Sequence, residues 1–473
     1  MLSESKNDSA IIGAGKISMS TLLAVLLIEG MISVSLQVTA IRQLTPNVGT
    51  NINITSLVIG LFLSALAFGY WFGGRHSDMQ KIPDVLTKNL SLSALWISIG
   101  MSTAFAGFLL GGGAYYTISN TTRYIMVAAF LLMFMCPAVF MLAQTVPLLS
   151  NYLKANHQGK ATGNAMSLST VGSVLGAVFT SLVFFYFLGV SYTLLLSTIM
   201  LCGLAILIKP NRSTLSATAI IIGISITTNV ILKPDSIIRE NAYSTYEVID
   251  SEYLSSPVTI FEVNNQPASL INKFSGDPAP YIKRAKNLLL DPNLDKDLDV
   301  LVLGAGGFTL SYASPRNHKF TYVDIDPEIK GIAETHFLKR PVDDIFIAQD
   351  ARQFLMSKKD VEYDVIFNDL YTNTSDIPWH VATIEYLQVL KSRLSSNGIA
   401  AFNMILRDDF SNDTSRRLYK TITTVFPFCY IDPEYVGQEH ERANVLFICP
   451  NLGHDEMKNT EIYKDDKSFN IQL

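Results

Sequence analysis

Two hydrophobic patterns divide the chain. Apolar residues run almost without a charge over 18–41, 54–73, 90–112, 123–149, 165–188, 190–208 and 214–232. Each run approaches or exceeds the ~20 residues that carry a helix across a bilayer. The pattern predicts about seven spans within 1–234, the Thr- and Ile-rich last one being the weakest. So many long uncharged runs do not fit a buried helical core. Beyond Pro234 the period shortens. STYEVIDSEY and VTIFEVNN alternate as strands do, as does Ala268–Ile271, and they predict a small antiparallel β-sheet within 235–290. From Asp299 apolar strands (VLVLG, FTYVD, IFIA, YDVIFND, IAAFN) alternate with helical patterns, ending in FCYID and NVLFICP. That alternation predicts a mainly parallel sheet with right-handed crossovers, an α/β Rossmann-like domain over 291–473.

Composition sharpens the division. The 473 residues are 49% apolar and 16% charged. Up to Pro234, 12 Lys and Arg face 5 Asp and Glu, and the remainder holds 24 against 36. An acidic soluble half argues against a nucleic-acid partner. Cys136, Cys202, Cys429 and Cys449 show no metal-ligand spacing, so no metal site is expected. The first apolar run is too long for a cleavable signal, and no small-residue cleavage site follows it.

Arg75, Lys81 and Lys88 follow the second run, Lys154 and Lys160 the fourth, Lys209 and Arg212 the sixth; Arg42 and Arg123 flank the others. The even-numbered loops are therefore expected in the cytoplasm. Seven spans would carry the soluble part outside, whereas six spans with 214–232 re-entrant or interfacial would keep it inside. Glu29 lies mid-span, where an ionisable group is expensive. It is either a functional site in the bundle or a neutral carboxyl bonded between helices. Pro137 and Pro147 predict kinks, and Gly172 with Gly176 a face for close helix approach. YWFGGRHSD, Tyr70–Asp78, resembles the loop after the second helix of major facilitator transporters.

The chemistry concentrates at strand ends. Gly304, Gly306 and Gly307 form a turn after the first parallel strand, and Asp324 closes the next, an arrangement by which doubly wound folds hold an adenosyl cofactor. Asp350, in QDARQFL, follows the third strand and Asp369, in YDVIFNDLY, the fourth. Ligands of open parallel sheets bind at the carboxyl ends of strands, so these residues should converge on one crevice. Asp326, before Pro327, reads as a helix-start residue.

The order VLVLGAGG, VDIDPEI, DARQFL, YDVIFNDLY, with STYEVI upstream, resembles the spermidine synthases, the polyamine aminopropyltransferases. SDIPWHVATIEYLQVLK, LIEGMISVSLQVTAIRQL and GYWFGGR extend the resemblance to bacterial members fused to a major facilitator-like membrane portion. It implies a multi-pass helical membrane bundle, a small N-terminal β-sheet and a Rossmann-like domain that takes S-adenosylmethionine or its decarboxylated form as co-substrate, without a metal. By resemblance, Asp369 receives the proton of an amine substrate, Asp324 holds the ribose and Asp350 the adenine. Glu247 stands at the family's glutamine in the cofactor site, while Tyr281, with Tyr246 and Tyr371, lines the amine's path. Phe308 stands where the family has an aspartate for the cofactor's amino group, and Thr372 where it has the second aspartate of a DxxD pair. The resemblance also implies a dimer. The expected location is a bacterial-type inner membrane, with the soluble domain on the cytoplasmic side, where S-adenosylmethionine is made. A Cys429–Cys449 disulfide would point to the outside. The expected activity is aminopropyl transfer to an amine such as putrescine, releasing methylthioadenosine. The alternatives are methyl transfer, or elimination or cyclisation, on S-adenosylmethionine itself, and a transporter or sensor with a silent nucleoside-binding domain.

Overall fold

The computed structural model describes residues 17–48, 52–76, 78–110, 120–152, 158–314, 317–357, 361–371, 377–407, 409–434 and 443–451. Two compact units emerge: Met1–Gln43 with Ile54–Lys233, and Leu44–Asn53 with Pro234–Leu473.

The first unit is helical. Among the described residues six helices are long and apolar enough to cross a membrane: Met19–Pro46, Ile52–Gly74, Tyr124–Tyr152, Thr162–Phe187, Gly189–Ile208 and Arg212–Ile231. A seventh is formed if the bent pair Ile82–Gly100 and Thr103–Leu110, which turns by 52°, counts as one span. Its surface is apolar, with Phe68, Trp71, Phe108, Leu182, Phe187 and Ile220 exposed, while Glu29, Ser33, Ser98, Thr198, Ser225 and Asn229 are buried. That inversion is the distribution a lipid solvent selects. The glycine face behaves as its spacing predicts. A Cβ at Gly172 would lie 2.0 Å from the Leu27 carbonyl oxygen, and one at Gly176 2.1 Å from that of Met31. Only glycine lets these backbones touch. Glu29 sits in this seam, buried, and accepts a hydrogen bond from Ser169 Oγ at 3.2 Å. Near Pro137 the helix widens into a π-turn over Leu131–Met135, and it breaks at Gln144, three residues before Pro147.

The second unit opens with β1 (Ile237–Glu240), β2 (Thr245–Tyr253), β3 (Ser256–Val263) and β4 (Gln266–Asn272), paired antiparallel in that order. Asn264 and Asn265 join β3 to β4 with φ of 55° and 58°, left-handed values that asparagine tolerates and a two-residue hairpin demands. β1 is too short to show an alternation and was not legible.

Seven more strands form one sheet: β5 (Asp299–Leu303), β6 (Lys319–Asp324), β7 (Ile345–Ala348), β8 (Tyr363–Asn368), β9 (Leu394–Leu406), β10 (Tyr430–Pro433) and β11 (Ala443–Pro450). Their order is β10-β11-β9-β8-β5-β6-β7. Five run parallel, while β11 pairs antiparallel with both β9 and β10. Alternation divides the core between the two faces. Leu301, Leu303, Ile366 and Phe402 join one apolar cluster, and Val300, Val302, Val365 and Phe367 the other. The chain leaves β5 toward β6 and β7, then returns to β8 on the other side of β5. The crevice above β5 and β8 is the switch point of the sheet. Cys429 and Cys449 are joined by a disulfide.

Candidate active site

The glycine turn is built around the switch point. Gly304, at φ +91°, donates its amide to the Val323 carbonyl at 2.9 Å, and a Cβ there would lie 2.1 Å from the Asp369 carbonyl oxygen. Asp369 in turn donates its amide to the Leu303 carbonyl at 2.9 Å. The turn after β5 and the end of β8 thus touch through backbone alone. Gly306 has φ +48° and faces Ser269, while the Gly307 amide donates to Ser269 Oγ at 2.9 Å, which ties the turn to β4. Phe308 also has positive φ, and its ring points into the core, 4.6 Å from Tyr322 and 5.9 Å from Phe346 between centroids. The position that bears an aspartate in the resembled family is here a packing residue.

Asp324 ends β6 with each oxygen fixed by one backbone amide: Ala305 donates to Oδ2 at 2.9 Å and Asp326 to Oδ1 at 3.0 Å. Burial nevertheless raises its pKa above the usual carboxylate range. An ionised carboxylate offers about four acceptor sites, so Asp324 can still accept from a hydroxyl. Asp326 accepts the Glu328 amide at 2.9 Å, the helix-start role expected of it, and its other oxygen takes Asn241 Nδ2 and the Tyr246 hydroxyl. Arg239 forks onto Glu328 at 3.0 and 2.7 Å. These contacts fasten the small sheet beneath Asp324.

Asp369 is held at both oxygens by side chains. Tyr281, on helix Pro280–Leu289, donates its hydroxyl to Oδ2 at 3.0 Å, and Asn403, on β9, donates Nδ2 to Oδ1 at 2.9 Å. Two hydrogen bonds do not offset burial, which pushes the Asp369 pKa up to about 6. Tyr281 and Tyr371 are held above the ordinary phenol value, first by burial and then, for Tyr281, by the Asp369 charge. The Tyr371 hydroxyl accepts the Ile405 amide at 2.6 Å and donates to the Asn403 carbonyl at 3.2 Å, so it braces β9. Asn403 keeps its side-chain carbonyl buried and without a partner.

Asp350 caps helix Ala351–Ser357 through the Gln353 amide at 2.9 Å and pairs its other oxygen with His380 Nε2 at 2.9 Å. Of the residues singled out in the sequence, Gly304, Asp324, Asp350, Asp369, Tyr281 and Tyr371 stand at the carboxyl edge of the sheet or bond to a residue there. Tyr246 is fully buried and stacked on Phe261, and it reaches that edge only through its hydroxyl, which bonds Asp326. Glu247 is half-buried on β2 and accepts a hydrogen bond from Ser236 at 2.6 Å. Thr372 lies outside the described residues. Asn403, His380 and Ser269 were not anticipated. Asn403 carried one weak signal, a polar residue inside the apolar run IAAFNMIL.

A seven-stranded Rossmann-like sheet with three strand-end carboxylates and a glycine turn at its switch point defines a domain of the doubly wound α/β class. Comparison narrows it. Over 132 residues the chain is 32% identical to a polyamine aminopropyltransferase from Vibrio vulnificus, a match covering 26% of this chain and 42% of that protein. The chain thus spans less than half the length of this curated relative, and over that stretch it is spermidine synthase-like. Among solved structures, a probable spermidine synthase from Corynebacterium glutamicum aligns at 18% identity over 48% of this chain and 85% of its own, with a TM-score of 0.38. Spermidine synthase from Thermotoga maritima aligns at 16% over 50% and 84%, TM-score 0.35. Human methyltransferase-like protein 13, in complex with SAH, aligns at 23% over 38% and 86%, TM-score 0.31. No family profile matches the chain.

Proposed function

We propose that the second unit transfers an aminopropyl group from decarboxylated S-adenosylmethionine to a small amine, with Asp369 as the residue that binds the amine and takes its proton. The observation that carries this reading is the setting of Asp369, a buried carboxylate with a raised pKa at the switch point, held by Tyr281 and Asn403. An alkylammonium is inert as a nucleophile, and a carboxylate beside it both holds the cation and accepts its proton. The co-substrate supplies a sulfonium whose neighbouring methylene is electrophilic. The new C–N bond forms as the C–S bond breaks, methylthioadenosine leaves with the electron pair, and the proton goes to Asp369. Positioning supplies most of the acceleration, because the leaving group is already good. In this reading Asp324 accepts the ribose hydroxyls and Asp350 the adenine amino group.

Asp350 depends on His380 for its orientation. His380→Ala is expected to raise KM for the nucleoside roughly five-fold, the scale of one hydrogen bond, with kcat nearly unchanged. Steady-state kinetics at saturating amine check this, and a fall in kcat without a change in KM would contradict it.

Purified full-length protein given decarboxylated S-adenosylmethionine and putrescine should release methylthioadenosine in step with the aminopropylated amine, and only when the amine is present. The burial of Phe308, which leaves no carboxylate at that position, favours one second reading, chemistry on S-adenosylmethionine itself. Adenosylhomocysteine would report methyl transfer, and methylthioadenosine formed without an acceptor would report elimination or cyclisation. Binding without turnover would rule out both transfer readings.

A further inference from the structure

Three features of the molecule bear on the side of the membrane at which this crevice opens. The first is that the first unit has two distinct ends. His76, after the second span, accepts a hydrogen bond from Asn151 Nδ2, at the end of the fourth, at 3.2 Å. Lys209, after the sixth span, pairs with Asp84, at the start of helix Ile82–Gly100. The segments that follow spans two, four and six therefore meet at one end, and their described residues include Arg75, Lys81, Lys160, Lys209 and Arg212. At the other end, Gln43 donates to the Met101 carbonyl, and the Thr103 and Ser191 hydroxyls bond at 2.9 Å. The segments on this side carry fewer cations, Arg42, Arg123 and Lys233. A bundle whose basic segments gather at one end places that end in the cytoplasm.

The second feature is the course of the last helix. Arg212 starts it at the basic end, where Asn211 caps it through the Thr214 amide at 2.7 Å. Ser225 then bonds Thr198, in the middle of helix Gly189–Ile208, at 3.4 Å, and Thr228 donates to the Ser98 carbonyl near the far end of Ile82–Gly100. The helix thus runs the length of the bundle rather than turning back, and with the bent pair Ile82–Gly100 and Thr103–Leu110 taken as one span it is the last of seven crossings. Lys233 and Pro234 emerge at the end without the basic cluster.

The third feature lies in the second unit. The register of β10 with β11 pairs Tyr430 with Ile448, which brings Cys429 opposite Cys449, with Cα atoms 4.1 Å apart and the sulfurs bonded. Cytosolic thiols stay reduced, whereas structural disulfides persist in oxidising compartments.

We propose that the soluble unit, with its Asp369 crevice, stands on the oxidising, extracytoplasmic side of the membrane. This reverses the side expected from where S-adenosylmethionine is made. The reaction step that feeds the site is then the delivery of a charged nucleoside sulfonium across the bilayer, and its amine is drawn from the external pool. The inference rests on the spans and the disulfide, and it holds or fails independently of the aminopropyl reading.

Two measurements on the full chain in its native membrane test it. Acid-quenched membranes are denatured and treated with a maleimide-polymer, which should add to the two free thiols, Cys136 and Cys202, and to all four cysteines only after reduction. Four adducts before reduction would overturn the proposal. A green fluorescent reporter fused after Leu473 should be dark and an alkaline phosphatase fused there active, while Lys81→Cys should resist an impermeant maleimide in intact cells and react in inverted vesicles. A bright fluorescent fusion, or Lys81→Cys labelled from outside, would equally overturn it.

Discussion

Asp369→Asn should slow transfer by orders of magnitude and make the protein more stable. Removing a general base typically costs 10²–10⁴-fold in rate, and the variant should fall in that range while its affinity for the nucleoside stays near that of the wild type. Asparagine keeps the geometry, since its oxygen can still accept from Asn403 and the Tyr281 hydroxyl can turn to accept from its amide. The stability gain follows from linkage. The Asp369 pKa is raised in the fold from 3.8 to about 6, so the folded state holds its proton more tightly than the unfolded chain does. The cost of burying the carboxylate is absent below the unfolded pKa, grows as pH rises toward 6, and is complete above it. Asparagine removes that cost, on the order of 1–3 kcal/mol. Thermal unfolding of the full chain at pH 5 and pH 8 should show the larger gain at pH 8. In the wild type, kcat/KM should fall as pH drops through about 6, where the base becomes protonated.

Gly304→Ala should have the largest structural effect of any single change in the turn. Its φ of +91° is unfavourable for an L side chain, and the added carbon would meet the Asp369 carbonyl oxygen at 2.1 Å and its carbon at 2.9 Å. Both are backbone atoms of a central parallel strand's end and cannot swing aside. A destabilisation of about 3 kcal/mol or more is expected, with loss of nucleoside binding because β5 and β8 must separate. Gly306→Ala is the control. Its φ is +48° and its nearest neighbour is the Ser269 hydroxyl at 3.1 Å, so the cost should be nearer 1–2 kcal/mol. Chemical denaturation of the two variants should separate them clearly, and equal losses would contradict the packing described for this turn.

How much of this was legible depended on how local each signal was. The strands of the large sheet follow from short apolar runs between helical patterns, and Asp324, Asp350 and Asp369 follow from standing where such runs end. The partners of those carboxylates do not follow. Asn403 reaches Asp369 from a neighbouring strand, His380 reaches Asp350 from beyond the next connection, and Ser269 reaches Gly307 from a different sheet. Each pairing is set by how two elements cross, which no local period encodes. Tyr246 and Glu247 show a smaller limit. Adjacent residues on a strand face opposite ways, so one of the two had to enter the core. Only the packing of β2 on Phe261 shows that it is the tyrosine. The Cys429–Cys449 pairing is of the same kind, because it needs the register of two strands whose connection passes through residues outside those described.

The role of Asp369 on an amine beside a bound nucleoside is tested most directly by methylthioadenosine release from purified wild type and Asp369→Asn, each with decarboxylated S-adenosylmethionine and rising putrescine, with nucleoside binding measured in parallel by calorimetry. The wild type should release product only as amine is added, and the variant should bind the nucleoside equally well and release product about 10²–10⁴-fold more slowly. Full amine-dependent release by the variant would contradict a role for Asp369 as the base.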